Sequence, residues 1–220
     1  MICGGCGPVG RIEGLYVIVQ PYGGRTAAEI AELAVRGGAK VIQLRWKGVS
    51  TRRLLDEAYK VAEVCRKLGA VFIVNDRADV ALLCGADGVH VGEEDLTVAE
   101  ARAILGEKAV VGRSVDTPEG AEEAEREGAS YVSIGPIFPT STKPDAGRPL
   151  GLRAVAEAKR RVRIPLVAIG GINAENVAQV VRAGADAVAV VSAVCFAPDP
   201  EGAAEEMARR IEEARGGKKG

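Results

Sequence analysis

Residues 184–192 read Gly-Ala-Asp-Ala-Val-Ala-Val-Val-Ser, a glycine-alanine pair followed by a short apolar run and then by a serine. The glycine is typical of the residue that ends a helix, and an apolar run of this length is typical of a buried strand. The same pair recurs ahead of other apolar runs, at Gly38-Ala39, Gly69-Ala70, Gly85-Ala86 and Gly128-Ala129. The stretch therefore predicts a unit of helix, glycine and strand that the chain repeats.

Candidate strands and helix starts alternate along the chain. The helical patterns begin at recognisable capping residues, which are Thr26, Ser50, Thr97, Thr117 and Asn173. Strands that are apolar on both faces and alternate with helices predict a parallel sheet, because each crossover helix covers one face of it. The candidate strands are eight, at 15–19, 41–44, 71–74, 88–91, 109–111, 131–134, 166–169 and 187–191.

Eight such units predict an α/β protein with the single-domain (β/α)8 TIM-barrel fold. The alternative is an open doubly wound sheet, but the first strand is not followed by the Gly-x-Gly-x-x-Gly pattern of that fold. We expect the barrel to span residues 14–215, between a flexible N-terminal tail at 1–13 and a frayed C-terminal tail at 216–220. With 220 residues, 47% of them hydrophobic, the chain has enough apolar surface for one sizeable core.

The charge balance narrows the classes of partner. A net charge of -1 and a pI near 6.0 give no overall field that would attract nucleic acid or an anionic membrane. The chain also has no signal-peptide pattern and no apolar run long enough to span a bilayer. We therefore expect small-molecule substrates, no nucleic acid, no membrane and a cytoplasmic location. The sequence leaves open whether the protein forms a homo-oligomer.

Five cysteines fall into two groups. Cys65, Cys84 and Cys195 lie in apolar surroundings and are expected to be packed thiols rather than a disulfide framework. Cys3 and Cys6 form one Cys-x-x-Cys in a glycine-rich segment, where a metal or redox site would need a second ligand pair or a following helix. A frayed terminus is the better interpretation of that segment.

Charged residues stand where the predicted strands end, which is where a (β/α)8 barrel has its chemistry. Gln43 and Arg45 alternate onto one side of the second strand, and Lys47 adds a second cation. An arginine inside a barrel needs an anion, either a ligand or a neighbouring carboxylate. Asp76 and Asp95 follow adjacent strands and form a candidate carboxylate pair for Mg2+. The alternative for Asp95 is helix capping.

Two other polar residues have a structural interpretation. Asp79 follows the third strand and is expected in the first turn of a helix. His90 is the one histidine of the chain and stands at a strand end. Because no serine or cysteine nucleophile stands in a recognisable arrangement with it, we expect a hydrogen-bonded barrel histidine rather than a member of a catalytic triad.

Three further strand ends suit an anion. Residues 135–143 read Gly-Pro-Ile-Phe-Pro-Thr-Ser-Thr-Lys, which is typical of an anion-holding loop or of an ordinary surface loop. Gly170-Gly171 and Val191-Ser192 follow strands seven and eight, whose loops often hold a phosphate through backbone N–H groups. Two anion sites, one with a metal, predict a transferase. It would join a molecule that carries a monophosphate to a fragment whose diphosphate departs as pyrophosphate. The competing interpretation is a barrel that isomerises or binds a single phosphorylated ligand.

From about Leu15 to Ala193 the chain resembles the thiamine phosphate synthase family. The resemblance implies a (β/α)8, Mg2+-dependent transferase that couples 4-amino-2-methyl-5-(diphosphooxymethyl)pyrimidine to thiazole phosphate. The products would be thiamine phosphate and pyrophosphate. Six motifs carry it, in chain order: Gln43-Leu44-Arg45-Trp46-Lys47, Asn75-Asp76-Arg77, Ala86-Asp87-Gly88-Val89-His90 with Glu94-Asp95-Leu96, Gly135 to Lys143, Ala168-Ile169-Gly170-Gly171-Ile172, and Val190-Val191-Ser192-Ala193.

The resemblance also implies roles for individual residues. Asp76 and Asp95 would bind the metal, and Arg45, Lys47, Ser114 and Lys143 are the candidate catalytic residues. The pyrimidine diphosphate would be held by Gln43, Arg45, Lys47, Asn75, Ser114 and Lys143, and the thiazole phosphate by Thr140, Ser141, Thr142, Gly171, Val191 and Ser192. Leu44 and Trp46, in the first motif, are further candidates for substrate contacts.

Two positions depart from the usual synthase pattern. Glu93 stands where the synthases usually have Gln, and Ser114-Val115-Asp116 where they usually have Ser-Thr-His. Gly112-Arg113-Ser114-Val115 is similar instead to the related thiazole tautomerases, in which a His stands where this chain has Asp116. The chain keeps the metal carboxylates that tautomerases tend to lack. We therefore expect a synthase, with a tautomerase second and a non-catalytic phosphate-binding sensor third.

Overall fold

Eight parallel strands close into a barrel in which each strand pairs with the next along the chain and β8 pairs with β1. The computed structural model describes residues 12–140, 142 and 147–216. The predicted (β/α)8 fold is confirmed. The strands are β1 Gly14–Val19, β2 Val41–Leu44, β3 Val71–Asn75, β4 Gly88–Val91, β5 Val110–Val115, β6 Tyr131–Ile134, β7 Leu166–Ile169 and β8 Ala187–Val190.

The helices surround the barrel and begin largely where the sequence predicts. Thr26 and Thr97 form capping boxes, and the hydroxyls of Ser50 and Thr117 accept backbone N–H groups of the first turn. The five glycines of the repeated Gly-Ala pairs all have positive φ, as a residue that ends a helix requires. The helices are α1 Ala27–Arg36, α2 Thr51–Leu68, α3 Ala78–Cys84, α4 Val98–Leu105, α5 Pro118–Arg126, α6 Gly151–Arg161, α7 Val177–Ala183, α8 Ser192–Cys195 and α9 Pro200–Gly216.

Three boundaries differ from the predicted ones. Strand β5 continues to Val115, so that Ser114 lies within the strand rather than after it. Helix α7 begins at Val177 and not at Asn173, whose side chain accepts the backbone N–H groups of Glu175 and Asn176 in a turn that leads into the helix. At the N-terminal end Ile12 is 1% exposed, so it packs with the barrel and not with a tail. Residues 1–11 and 217–220 lie outside the described part of the chain.

The apolar side chains form two layers that the strand alternation separates. Alternate residues such as Leu15 and Val17 face the helices in the larger cluster, whereas Tyr16 and Ile18 fill the inside of the barrel. The inside of the barrel must leave room at the ends of the strands, and Gly112 helps to provide it. A Cβ at Gly112 would lie 2.1 Å from the Tyr131 ring, so only glycine fits beside that side chain.

The structure also bears on the predictions made for the cysteines and for membrane-spanning segments. Cys65, Cys84 and Cys195 are buried free thiols, which confirms the prediction made for them, and burial raises the pKa of each. Cys3 and Cys6 lie outside the described residues. Within the described residues, no helix is both long enough and apolar enough to cross a membrane.

Candidate functional site

A cavity of about 1190 Å³ lies at the carboxyl ends of the strands and receives residues from all eight of them. This volume is somewhat above the usual range for a pocket that holds one small molecule. The predicted site residues that line it are Gln43, Arg45, Lys47, Asn75, Asp76, Asp95, Ser114, Thr140, Thr142, Gly171, Val191 and Ser192. The residues of the two predicted anion sites therefore line the same cavity.

Four predicted site residues are not among those that line the cavity. Ser141 and Lys143 lie outside the described residues. Leu44 is 1% exposed and packs between the barrel and the helices, because alternation that turns Gln43 inward turns Leu44 outward. Trp46 packs against the same outer layer, with the Arg53 guanidinium 5.1 Å from its ring centroid. The side chains of Leu44 and Trp46 therefore do not line the cavity, and the substrate contacts proposed for these two residues stay predictions.

Cations and carboxylates meet where β2, β3 and β4 end. The Lys47 Nζ lies 3.1 Å from the Asp76 Oδ2, in an ion pair whose lysine is exposed and whose carboxylate is half-buried. Among the residues that the structure describes, no carboxylate lies within ion-pair distance of Arg45. The alternative in which a protein carboxylate neutralises Arg45 is therefore not realised within that part of the chain, where no carboxylate competes with a ligand anion for this guanidinium.

Asp76 and Asp95 lie close together, as their adjacent strands predict. Burial, and then the neighbouring Asp95 carboxylate, raise the pKa of the Asp76 carboxyl, while Lys47 opposes that rise. Asp76 has a φ of 61°, a left-handed conformation that Asp and Asn adopt more readily than other non-glycine residues. Asp95 does not cap α4, a role that belongs to Thr97. Its Oδ2 instead accepts the Gly92 N–H at 2.8 Å.

The carboxylate pair can be tested for its fit to Mg2+. Within the described ranges, no group of three or more His, Cys, Asp or Glu side chains is placed to hold a metal ion. Mg2+ does not need such a cage, because it is usually bound by one or two carboxylates together with waters and substrate phosphates. Two close carboxylates at the wall of a cavity that Arg45 also lines fit that mode of binding.

The glycine pair after β7 has a packing role that the sequence analysis did not foresee. A Cβ on Gly170 would lie 2.5 Å from the Pro136 Cβ, and a Cβ on Gly171 would lie 2.4 Å from the Pro139 carbonyl oxygen. Both glycines also have positive φ. The absence of side chains at these two positions makes room for the loop that follows β6. The close backbone approach that was expected toward a phosphate is therefore made, in the protein itself, toward another loop. Gly171 nevertheless lines the cavity from this position.

Backbone and hydroxyl groups form the opposite wall of the cavity. The N–H groups of Val194 and Cys195 donate to the Val191 carbonyl, so the short helix α8 begins at Ser192. The first N–H groups of any helix lack intrahelical acceptors. In the loop after β6, the Thr142 N–H donates to the Thr140 hydroxyl at 3.2 Å. This wall has the neutral hydrogen-bonding groups that were predicted for a phosphate.

His90 has a partner for each ring nitrogen. Its Nδ1 lies 2.9 Å from the Tyr131 hydroxyl and its Nε2 lies 2.9 Å from the Ser114 hydroxyl. The prediction of a hydrogen-bonded barrel histidine is confirmed. Burial lowers the pKa of His90 to about 4, which leaves the ring neutral at pH 7. The side chain also lines the cavity, so it belongs to the floor of the site.

The charged residues that line the cavity but were not predicted as site residues are Glu93, Arg113, Asp116, Glu123, Glu127 and Arg148. Arg113 donates to the Gly92 carbonyl, and Arg148 approaches from the loop after β6. Asp116, where the similar tautomerases have a histidine, also lines the cavity. Arg113 and Asp116 flank Ser114 in the sequence, and a search for charges at the end of β5 could have found them. Arg148 stands in an irregular segment and gives no such signal.

Comparisons with known proteins agree with this geometry. A protein-family model described as thiamine monophosphate synthase matches residues 15–194. The thiamine-phosphate synthase of Methanoculleus marisnigri is 50% identical over 192 residues, which cover 87% of this chain and 91% of that protein. The thiamine-phosphate synthase of Chloroflexus aurantiacus is 49% identical over 184 residues, or 84% of this chain and 85% of that protein.

A solved structure shows the same similarity in three dimensions. The thiamine phosphate pyrophosphorylase from Pyrococcus furiosus superposes with a TM-score of 0.84 at 39% sequence identity, covering 93% of this chain and 98% of that one. The match of the family model to residues 15–194 also agrees with the extent of the resemblance found in the sequence. The chain therefore belongs to the thiamine monophosphate synthase family.

Proposed function

We propose that the protein is a transferase that joins an aminopyrimidine methyl diphosphate to a thiazole phosphate, giving thiamine phosphate and pyrophosphate. The observation that carries the proposal is that one cavity is lined both by the charged residues Arg45, Lys47 and Asp76 and, from later strands, by Gly171 and Ser192. The charged residues suit a leaving diphosphate. The residues from later strands suit a monophosphate held by backbone and hydroxyl groups.

The chemistry explains why so many positive groups are needed at one wall. As the bond between the pyrimidine methylene and the diphosphate breaks, negative charge grows on the leaving oxygens and positive charge on the pyrimidine. Arg45 and Lys47 stabilise the first of these, and one well-placed donor is worth about 3 kcal/mol of barrier, or about a hundredfold in rate. We assign the Asp76 and Asp95 carboxylates to Mg2+, which would neutralise further charge on the diphosphate.

The opposite wall positions the nucleophile. The thiazole nitrogen must lie within contact distance of the pyrimidine methylene, and fixing its phosphate near Ser192 restricts how the ring can approach. Thr140 and Thr142 would hold the same phosphate from the loop after β6. A cytoplasmic location and Lys143 as a further diphosphate contact remain predictions made from the sequence.

The decisive experiment is the Asp76→Asn variant assayed with both substrates and Mg2+. Asn is the suitable replacement because it tolerates the left-handed backbone of Asp76. We expect kcat to fall by about a hundredfold or more, while affinity for the thiazole phosphate changes little. Excess chelator should have the same effect on the unmodified protein.

Asp79→Asn is the matched control. Asp79 lies three residues further along, in the first turn of α3, where it pairs with Arg77 and does not line the cavity. This variant should retain full activity. Full activity of Asp76→Asn, or of the unmodified protein in chelator, would rule out the metal-assisted reaction. Interconversion of thiazole isomers without pyrophosphate release would identify a tautomerase instead.

A further inference from the structure

A chain of hydrogen bonds crosses the inside of the barrel beneath the cavity. The Gln43 Nε2 donates to the Tyr16 hydroxyl at 2.6 Å, and the Tyr16 hydroxyl lies 2.9 Å from that of Tyr131. The Tyr131 hydroxyl then meets His90 Nδ1, and His90 Nε2 meets the Ser114 hydroxyl, each at 2.9 Å. Gln43 and Ser114 line the cavity, whereas the two tyrosines are fully buried and do not. The tyrosines can therefore affect a ligand only through other residues.

The number of protons available decides which atom donates in each of these hydrogen bonds. A tyrosine hydroxyl has one proton, and the oxygen of Tyr16 already accepts from Gln43. Among the described residues, the Tyr131 oxygen is the one acceptor within reach of the Tyr16 proton. The Tyr131 proton then has His90 Nδ1 as its acceptor. With the Gln43 amide oriented so that its Nε2 faces Tyr16, the reverse direction would leave the buried Tyr16 proton without a partner, which is an unfavourable arrangement.

The direction fixes the histidine and then the serine. Because His90 Nδ1 accepts, the single proton of the neutral ring lies on Nε2 and is donated to the Ser114 oxygen. His90 is the one partner of that hydroxyl among the described residues, and Ser114 is exposed to the cavity. The serine proton is therefore free to be donated to a ligand.

We propose that Tyr131 is a positioning residue for the reaction, because it holds His90 in the Nε2–H form and so presents the Ser114 hydroxyl to the diphosphate as a donor. The inference rests on the proposed function for the identity of the acceptor, a diphosphate oxygen. The direction of the hydrogen bonds does not depend on it. Tyr16 stands one bond further away and orients Gln43.

The first test is the tautomer of His90, which NMR can read without ambiguity because the chain has one histidine. In protein labelled with 15N-histidine and carrying no histidine tag, we expect the coupling pattern of the Nε2–H form at neutral pH. Tyr131→Phe removes the donor to Nδ1 and should disturb that pattern. Tyr16→Phe is the matched control, because it removes a neighbouring buried hydroxyl but keeps the hydrogen bond that the Tyr131 hydroxyl donates to His90 Nδ1.

The second test is a double-mutant cycle between Tyr131→Phe and Ser114→Ala. Each single change should weaken the use of the pyrimidine diphosphate, measured as kcat/KM, by about tenfold or more, as for the loss of a hydrogen bond to a charged group. If Tyr131 acts through Ser114, the double variant should be no worse than Ser114→Ala alone, within about twofold. The loss caused by Tyr16→Phe should instead add to that of Ser114→Ala.

The outcomes separate this inference from the proposed function. An Nδ1–H tautomer or a protonated ring in the unmodified protein, or additive losses in the Tyr131 and Ser114 cycle, would overturn the inference even if thiamine phosphate is formed. If no thiamine phosphate is formed, the proposed function fails. The NMR experiment, and the same cycle measured as affinity for inorganic pyrophosphate with Mg2+, then still decide the inference.

Discussion

Gly171 packs closely against the loop that follows β6, and Gly171→Ala tests that contact. Alanine would adopt a φ of 64° with a Cβ placed 2.4 Å from the Pro139 carbonyl oxygen and 2.8 Å from the Phe138 Cβ. Ordinary contacts lie near 3.5 Å, so the loop must move by about 1 Å. A left-handed alanine costs about 1–2 kcal/mol, and overpacking typically costs about 1–3 kcal/mol more.

We therefore expect Gly171→Ala to lower the free energy of unfolding by about 2–5 kcal/mol. Each kcal/mol corresponds to a fall of about 2–4 °C in Tm for a chain of this size. Urea-induced unfolding followed by circular dichroism measures the effect. Because the displaced loop carries Thr140 and Thr142, KM for the thiazole phosphate should rise as well.

Gly23→Ala separates the strain of the backbone from the clash. Gly23 has nearly the same conformation, with a φ of 59°, but its added Cβ would have nothing within 4 Å. It should therefore cost only about 1–2 kcal/mol, with no change in KM. Equal stabilities of the two alanine variants would show that the loop contact at Gly171 is not tight, and would refute the reasoning.

Two further predictions concern the core. Cys65, Cys84 and Cys195 are buried, and burial raises the pKa of Cys65 to about 12. These three thiols should therefore react with a thiol reagent at pH 8 only after unfolding. Their reaction in the folded protein would contradict their burial. The Glu57 carboxylate accepts the Ala28 N–H at 3.0 Å at the start of α1, so Glu57→Ala should cost about 1–3 kcal/mol in urea-induced unfolding while Glu57→Gln, which keeps an acceptor, costs less.

The repeating pattern of the chain was sufficient to predict the barrel, because each strand and helix is specified by its own residues. The Thr97 capping box and the positive-φ glycines depend on contacts within a few positions of sequence. The packing of Gly171 against Pro139 joins loops more than thirty residues apart, and nothing local indicates it. The same holds for Ile12, which is buried because the closed barrel brings other strands around it.

The candidate site could be predicted as far as alternation along a strand decides which side chains face inward. Alternation correctly placed Gln43 and Arg45 in the cavity, and it would also have turned Leu44 outward had it been applied to the whole motif. Arg148 lies in an irregular segment without a period, so its position depends on the folded loop. The ion pair of Lys47 and Asp76 likewise depends on the distance between the ends of two strands, which the sequence does not specify.

The floor of the cavity connects the stability of the barrel with its chemistry. Below it the interior is filled by large side chains such as Tyr16 and Tyr131, and at its level by small ones such as Ser133 and Ala189. Phenylalanine at both tyrosine positions would fill the lower layer equally well, but it would leave Gln43 and His90 without the hydroxyls that orient them. Since apolar packing alone does not require hydroxyl groups there, their presence at this boundary is explained by the groups above them that must be held in one orientation.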